Sequence, residues 1–142
     1  MRLKLSTKAA VEEWLDAAKR QIGLHLWQIT VADDAASDDA WADIEPHSTD
    51  TTAVIRIGAG FEAKAPEEQR LILTHELTHL FIHPLDQYAS HLETQHGAIW
   101  WGTWYPGYND HLEAATERIA KALAPRLPDF ELKATPAKIE RR

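Results

Sequence analysis

By type and spacing, His75, Glu76 and His79 are the residues of this chain best suited to chemistry, in the run His75-Glu76-Leu77-Thr78-His79. On a helix, histidines four apart share one face and act as a chelating pair for zinc. The glutamate between them faces the same side, where it can take a proton from a water on the ion. Two ligands and a general base in one segment point to a metal-dependent hydrolase, and first to a peptidase. Eight histidines in 142 residues allow a chance match, and a pair of surface histidines is the plain alternative. The flanks argue against it. Pro66 suits a first helical position, Glu67 and Glu68 complement the positive end of the helix dipole, and helical character runs unbroken to Pro84, the expected stop. Leu71, Leu73, Leu77, Leu80, Phe81 and Ile82 cover most of the circumference, so the helix is expected to be buried on nearly all sides. Two histidines and a glutamate there need a partner, and a single zinc ion is the economical one.

A catalytic zinc usually has three protein ligands and one open position, so a third ligand must lie elsewhere in the chain. His83 shares the face of His75 and His79. At about 1.5 Å rise per residue, however, it lies about 12 Å from His75 along the axis, too far for one ion with bonds of about 2 Å. Its expected role is to support a ligand or to cap the helix end before Pro84. A second helix is read over 110–124, with Asn109 or Asp110 as cap and Pro125 as stop. Glu113 and Glu117, four apart, address one point from it. Glu113 is the expected third ligand, with Glu117 holding a ligand histidine. The alternative is a solvated face on which Glu117 pairs with Lys121, and His91 and His96 remain spare ligands.

Two histidines of H-E-x-x-H followed by a glutamate on a later helix resemble the gluzincin class of zincin metallopeptidases. More narrowly, RLILTHELTHLFIHPLD resembles the active-site helix of the small prokaryotic and phage ImmA/IrrE-like peptidases, and EAATERIAKALA is similar to their later helix, with Glu113 in the ligand position. Thr116, Glu117, Ile119 and Ala124 depart from that family's usual residues. The resemblance covers about residues 54–124. It implies a zinc endopeptidase in which Glu76 is general base, acting on a protein or peptide such as a repressor-like regulator. It also implies an α+β minimal zincin-like fold, with an N-terminal helix, a small mixed sheet of three or four strands, the active-site helix and a C-terminal glutamate helix.

The remaining sequence is compatible with one domain over 1–125 and a weakly basic, proline-containing tail over 126–142, expected to be loosely held. A first helix is read from Ser6 or Thr7 to Gly23, with Val11, Trp14, Leu15, Ala18 and Ile22 at helical spacing. Strands are read at 26–31, 41–45 and 52–57. Residues 33–50 carry Asp33, Asp34, Asp38, Asp39, Asp43, Glu45 and Asp50 without a lysine or arginine, and no calcium-loop spacing, so a solvated loop is expected for most of them. A net charge of −7 argues against nucleic acid as partner. The lack of cysteine, of a signal peptide and of a membrane-length apolar run fits a cytoplasmic setting without membrane contact. Oligomeric state is not legible.

By analogy with zincins, the strand from Trp41 to Glu45, or else the third strand, would hold an extended peptide, and Asp43 and Glu45 would favour basic side chains in the substrate. Residues 85–109 read as a long aromatic connection. Trp100, Trp101, Trp104, Tyr105 and Tyr108 are interrupted by Gly97, Gly102, Pro106 and Gly107, and would line a pocket, form a lid or make a secondary core. Trp104 is a candidate substrate contact, and Tyr105, Tyr108 and His111 are candidate donors to an oxyanion. Two rivals stand beside the peptidase reading: a catalytically silent zinc clamp in a binding protein, and an amidase acting on a cell-wall peptide.

Overall fold

The computed structural model describes residues 2–37, 39–47 and 49–132. Asp38 and residues 133–142, which the sequence assigns to the acidic stretch and the tail, lie outside them. The fold is α+β. Helix α1 (Leu5–Gln21) leads into strands β1 (Gln28–Ala35), β2 (Ala42–Pro46) and β3 (Thr52–Ile57), and two long helices follow, α2 (Pro66–His96) and α3 (Ala98–Leu123). The helical phase of Val11, Trp14, Leu15 and Ala18 buries one side of α1, and Gly23, with φ of +79°, lets the chain leave it.

The sheet has the order β1-β3-β2. β1 runs parallel to β3 and β2 antiparallel to it, which leaves β2 an edge strand. Ala53, Ile55 and Ile57 alternate onto the face that packs with Val11, Leu15, Leu73 and Leu77 of the two covering helices. Asp43 and Glu45 belong to β2, near the strand read there from the sequence, whereas Asp33 and Asp34 belong to β1 rather than to the expected loop. Lys8 offsets Asp33 at 2.7 Å, and Arg56 offsets Asp43 at 2.9 Å across the β2–β3 pair.

Two expectations are corrected by the helices. Pro84 does not end α2, which continues to His96, and α3 begins at Ala98 rather than near Asp110. What reads as an aromatic loop is therefore a helical hairpin turning on Gly97, whose φ of +85° a side chain would strain. Pro84 and Pro106 each remove one helical hydrogen bond, a local loss that packing of α2 against α3 outweighs. Beyond Pro84 the hairpin leaves the body as an arm: within 85–108, only Ala89 is buried. Its aromatics stack on one another, with Trp100 on Trp104 at 5.3 Å, Trp104 on Tyr108 at 4.8 Å and Trp101 on Tyr105 at 4.4 Å.

The expected loose tail is also corrected at its start. Leu127 and Phe130 are in the core, Phe130 sets its ring edge-on to Trp14 and Phe61, and the Trp14 indole donates to the Pro128 carbonyl at 2.7 Å. The packed body thus extends past residue 125. No helix among the described residues is long and apolar enough to cross a membrane.

Candidate metal centre

The two four-residue spacings meet because α2 and α3 fold back on each other at Gly97. Counting from that turn, His79 stands roughly opposite Glu113 and His75 opposite Glu117. The His75 Nδ1–H donates to Glu117 Oε2 at 2.7 Å, which leaves the Nε2 lone pair turned into the cleft. There His75 Nε2 is 3.2 Å from His79 Nε2 and 3.2 Å from Glu113 Oε2, while Glu113 Oε1 is 3.4 Å from His79 Nε2. A second Glu117 oxygen faces Lys121 at 3.6 Å, so this carboxylate serves both the histidine and the surface lysine.

His75, Glu76 and His79 form a group that could hold a metal ion, their candidate ligand atoms all lying within 4.8 Å of one another. The chemistry of the donor set agrees. With its proton on Nδ1, His75 presents only a lone pair toward a second imidazole and a carboxylate. One proton on His79 Nε2 would bridge only one of these contacts, whereas a cation satisfies all three. A tetrahedral ion with bonds of about 2.0–2.1 Å spaces its ligand atoms about 3.3–3.4 Å apart, close to the separations found here.

Glu76, 7% exposed, points at the edge of the sheet, where the Ile44 N–H donates to its carboxylate. Strand register explains that donor. Gly58 N–H bonds to Trp41 O and His47 N–H to Thr52 O, so by antiparallel alternation Asp43 and Glu45 face β3 while Ala42 and Ile44 turn their polar groups outward. In the metal-free protein the Glu76 pKa is pushed up to about 8, chiefly by burial, with the charges of Glu113 and Asp43 adding and the Ile44 N–H opposing. Burial, with help from His75, pushes the His79 pKa down against the pull of Glu113 and Asp86.

Cavities of about 450 Å³ open on either side of His75 and Glu76. The first is bounded by Trp41, Ala42, Leu71 and Ile72 and is largely apolar. Its wall depends on Gly58, where a Cβ would stand 1.9 Å from the Ala40 carbonyl oxygen, and on Lys64, whose ammonium lies 4.1 Å from the centre of the Trp41 ring. The second extends toward the far end of α2 and is bounded by Asp43, His83, Asp86 and Glu113 together with His79.

Of the residues singled out by sequence, Trp41 and Asp43 border the cleft. His83 does too, its Nε2 buried without a partner among the described residues, and it caps nothing because the helix runs on. Tyr105 and Tyr108 face the acidic end, their phenols raised first by burial and then by Asp86, but neither lines these two cavities; Tyr105 donates to Asn109 at 3.3 Å. Trp104 is held in the aromatic stack of the arm, and His111 is exposed and borders neither cavity. His91 lies about 18 Å beyond His79 along the helix axis, and His96 further still. Sequence reasoning missed Asp86 and the walls formed by Leu71, Ile72 and Lys64. Asp86 carries a weak signal, eleven residues after His75 and so on the same helical face. Compared with protein-family models, curated proteins and solved structures, the chain matches none of them.

Proposed function

We propose that this chain is a zinc-dependent metallopeptidase of gluzincin type, with His75, His79 and Glu113 as ligands and Glu76 as general base. The observation that carries the proposal is the triangle of two imidazole nitrogens and one carboxylate, with a buried glutamate beside it in an open cleft. Bound there, zinc would supply an acidified water and polarise a carbonyl oxygen. Glu76 takes up a proton at its carboxylate, the form that a neighbouring cation favours, and delivers it to the leaving nitrogen. Glu117 fixes the His75 tautomer and ring plane. The outward polar groups of Ala42 and the Ile44 carbonyl offer an extended peptide an edge to pair with, and the cavities on either side would take its side chains. A cytoplasmic setting and a repressor-like substrate belong to this proposal through the ImmA/IrrE resemblance.

Metal analysis of protein purified without a histidine tag or chelator tests the reading. The expected result is about one zinc per chain, lost in Glu113→Ala and retained in Glu76→Gln, with hydrolysis of a casein or peptide mixture abolished in both. A folded wild type that binds no zinc, or undiminished turnover by Glu76→Gln, would overturn it.

A further inference from the structure

The cavity beyond His79 is the acidic end of the cleft, and its charges are not equivalent. Asp43, which the sequence suggested as the attractor of basic substrate side chains, is held by Arg56 at 2.9 Å, so its charge is already offset. Glu113 faces the two histidines, and Glu76 is engaged by the Ile44 N–H. Asp86 remains. Its carboxylate makes no hydrogen bond or ion pair among the described residues, yet it borders the cavity and is partly buried. Burial raises its pKa, with His79 and His83 opposing, as for an anion awaiting a counter-charge. Beside it, the buried Nε2 of His83 has no hydrogen-bond partner, which marks this end of the cavity as polar space left unfilled. The opposite cavity, walled by Trp41, Leu71 and Ile72, has the reverse character.

Resting on the peptidase reading, we infer that Asp86 is a specificity-determining residue: with His83 it forms a subsite for a lysine or arginine side chain of the substrate, on one fixed side of the scissile bond. The volume of about 450 Å³ accommodates such a side chain. With the metal ion in place, its positive charge offsets Glu113 and Glu76, and Asp86 is left as the uncompensated anion of this half of the cleft. A cation entering there completes an ion pair in a partly desolvated site, where such pairs discriminate strongly between partners. A substrate side chain of the same length without charge gains only apolar contact.

The test uses two peptides differing only in lysine or norleucine at the position preferred in a degenerate library. Zinc-loaded wild type is expected to cleave the lysine peptide with kcat/KM higher by about tenfold or more. In Asp86→Asn that ratio should fall to about one, and Asp86→Lys should invert it in favour of a glutamate peptide. Binding of the same peptides to zinc-loaded Glu76→Gln separates this inference from the peptidase reading. Discrimination in binding without hydrolysis by the wild type keeps the subsite and removes the peptidase. Cleavage with no preference, or a preference unchanged in Asp86→Asn, overturns the subsite and keeps the peptidase.

Discussion

Replacing Glu76 by glutamine should stabilise the metal-free protein, by an amount set by pH. In the folded chain the Glu76 pKa is raised from 4.5 to about 8, so its neutral form is favoured over the carboxylate by burial and by neighbouring negative charge. A raised folded-state pKa contributes stability that is full below about 4.5 and is lost as pH rises toward 8. At about 1.4 kcal/mol per pKa unit, the total loss is about 5 kcal/mol, of which about 4 kcal/mol has gone by pH 7.5. Glutamine imitates the neutral carboxyl, and its amide oxygen still accepts the Ile44 N–H. Urea unfolding of both proteins in chelator, followed by far-ultraviolet circular dichroism from pH 4 to 9, should show equal stability at the acid end. The glutamine variant should then pull ahead by several kcal/mol at the alkaline end. With saturating zinc the gap should close, because the cation favours the carboxylate. Stabilities that run parallel across this range would refute the account of a buried, uncompensated glutamate.

The other predictions concern the supports of the centre. Glu117→Gln should keep zinc but weaken its affinity by about 10- to 100-fold in competition with a chelator, since His75 loses a charged partner at 2.7 Å. Gly58→Ala should cost about 2–3 kcal/mol in denaturant unfolding, because a Cβ would meet the Ala40 carbonyl, and should impair peptide binding by moving the Trp41 wall. Phe130→Ala should cost about 3–5 kcal/mol, as for a core aromatic, despite its place in what reads as a tail. Metal affinity should fall on acidification, because an imidazole or carboxylate must be deprotonated to act as a ligand, and titration calorimetry across pH would show it.

What the sequence made legible was local and periodic. The third strand is bounded as expected at Thr52 and Ile57, and the second is displaced by one residue, because alternation bounded by turn residues is a short-range signal. The meeting of His75 and His79 with Glu113 and Glu117 was foreshadowed by matching four-residue spacings on two helices, although the turn that aligns them was not. Pro84, Gly97, Gly102, Pro106 and Gly107 speak locally against helix, and only the partnership of α2 with α3 overrides them. Phe130 looked peripheral because burial beside Trp14 depends on a contact distant in sequence. The Ile44 donor and the Asp86 cavity arise from the approach of a sheet edge to a helix, for which no single segment carries a code.

The arm beyond Pro84 also governs what light can report about this molecule. Trp100, Trp101 and Trp104 are half of its tryptophans, and Tyr88, Tyr105 and Tyr108 are all of its tyrosines. They lie on a hairpin with almost no buried side chains, while Trp14, Trp27 and Trp41 belong to the body. Intrinsic emission is therefore weighted toward a segment able to open at lower free energy than the sheet and its covering helices. A melting curve read by fluorescence should precede one read by backbone amide exchange of β3, and the interval between them measures the independence of the arm. Trp41 borders the cleft beside His75, so a zinc-induced change in emission should persist in a variant whose arm tryptophans are replaced by phenylalanine.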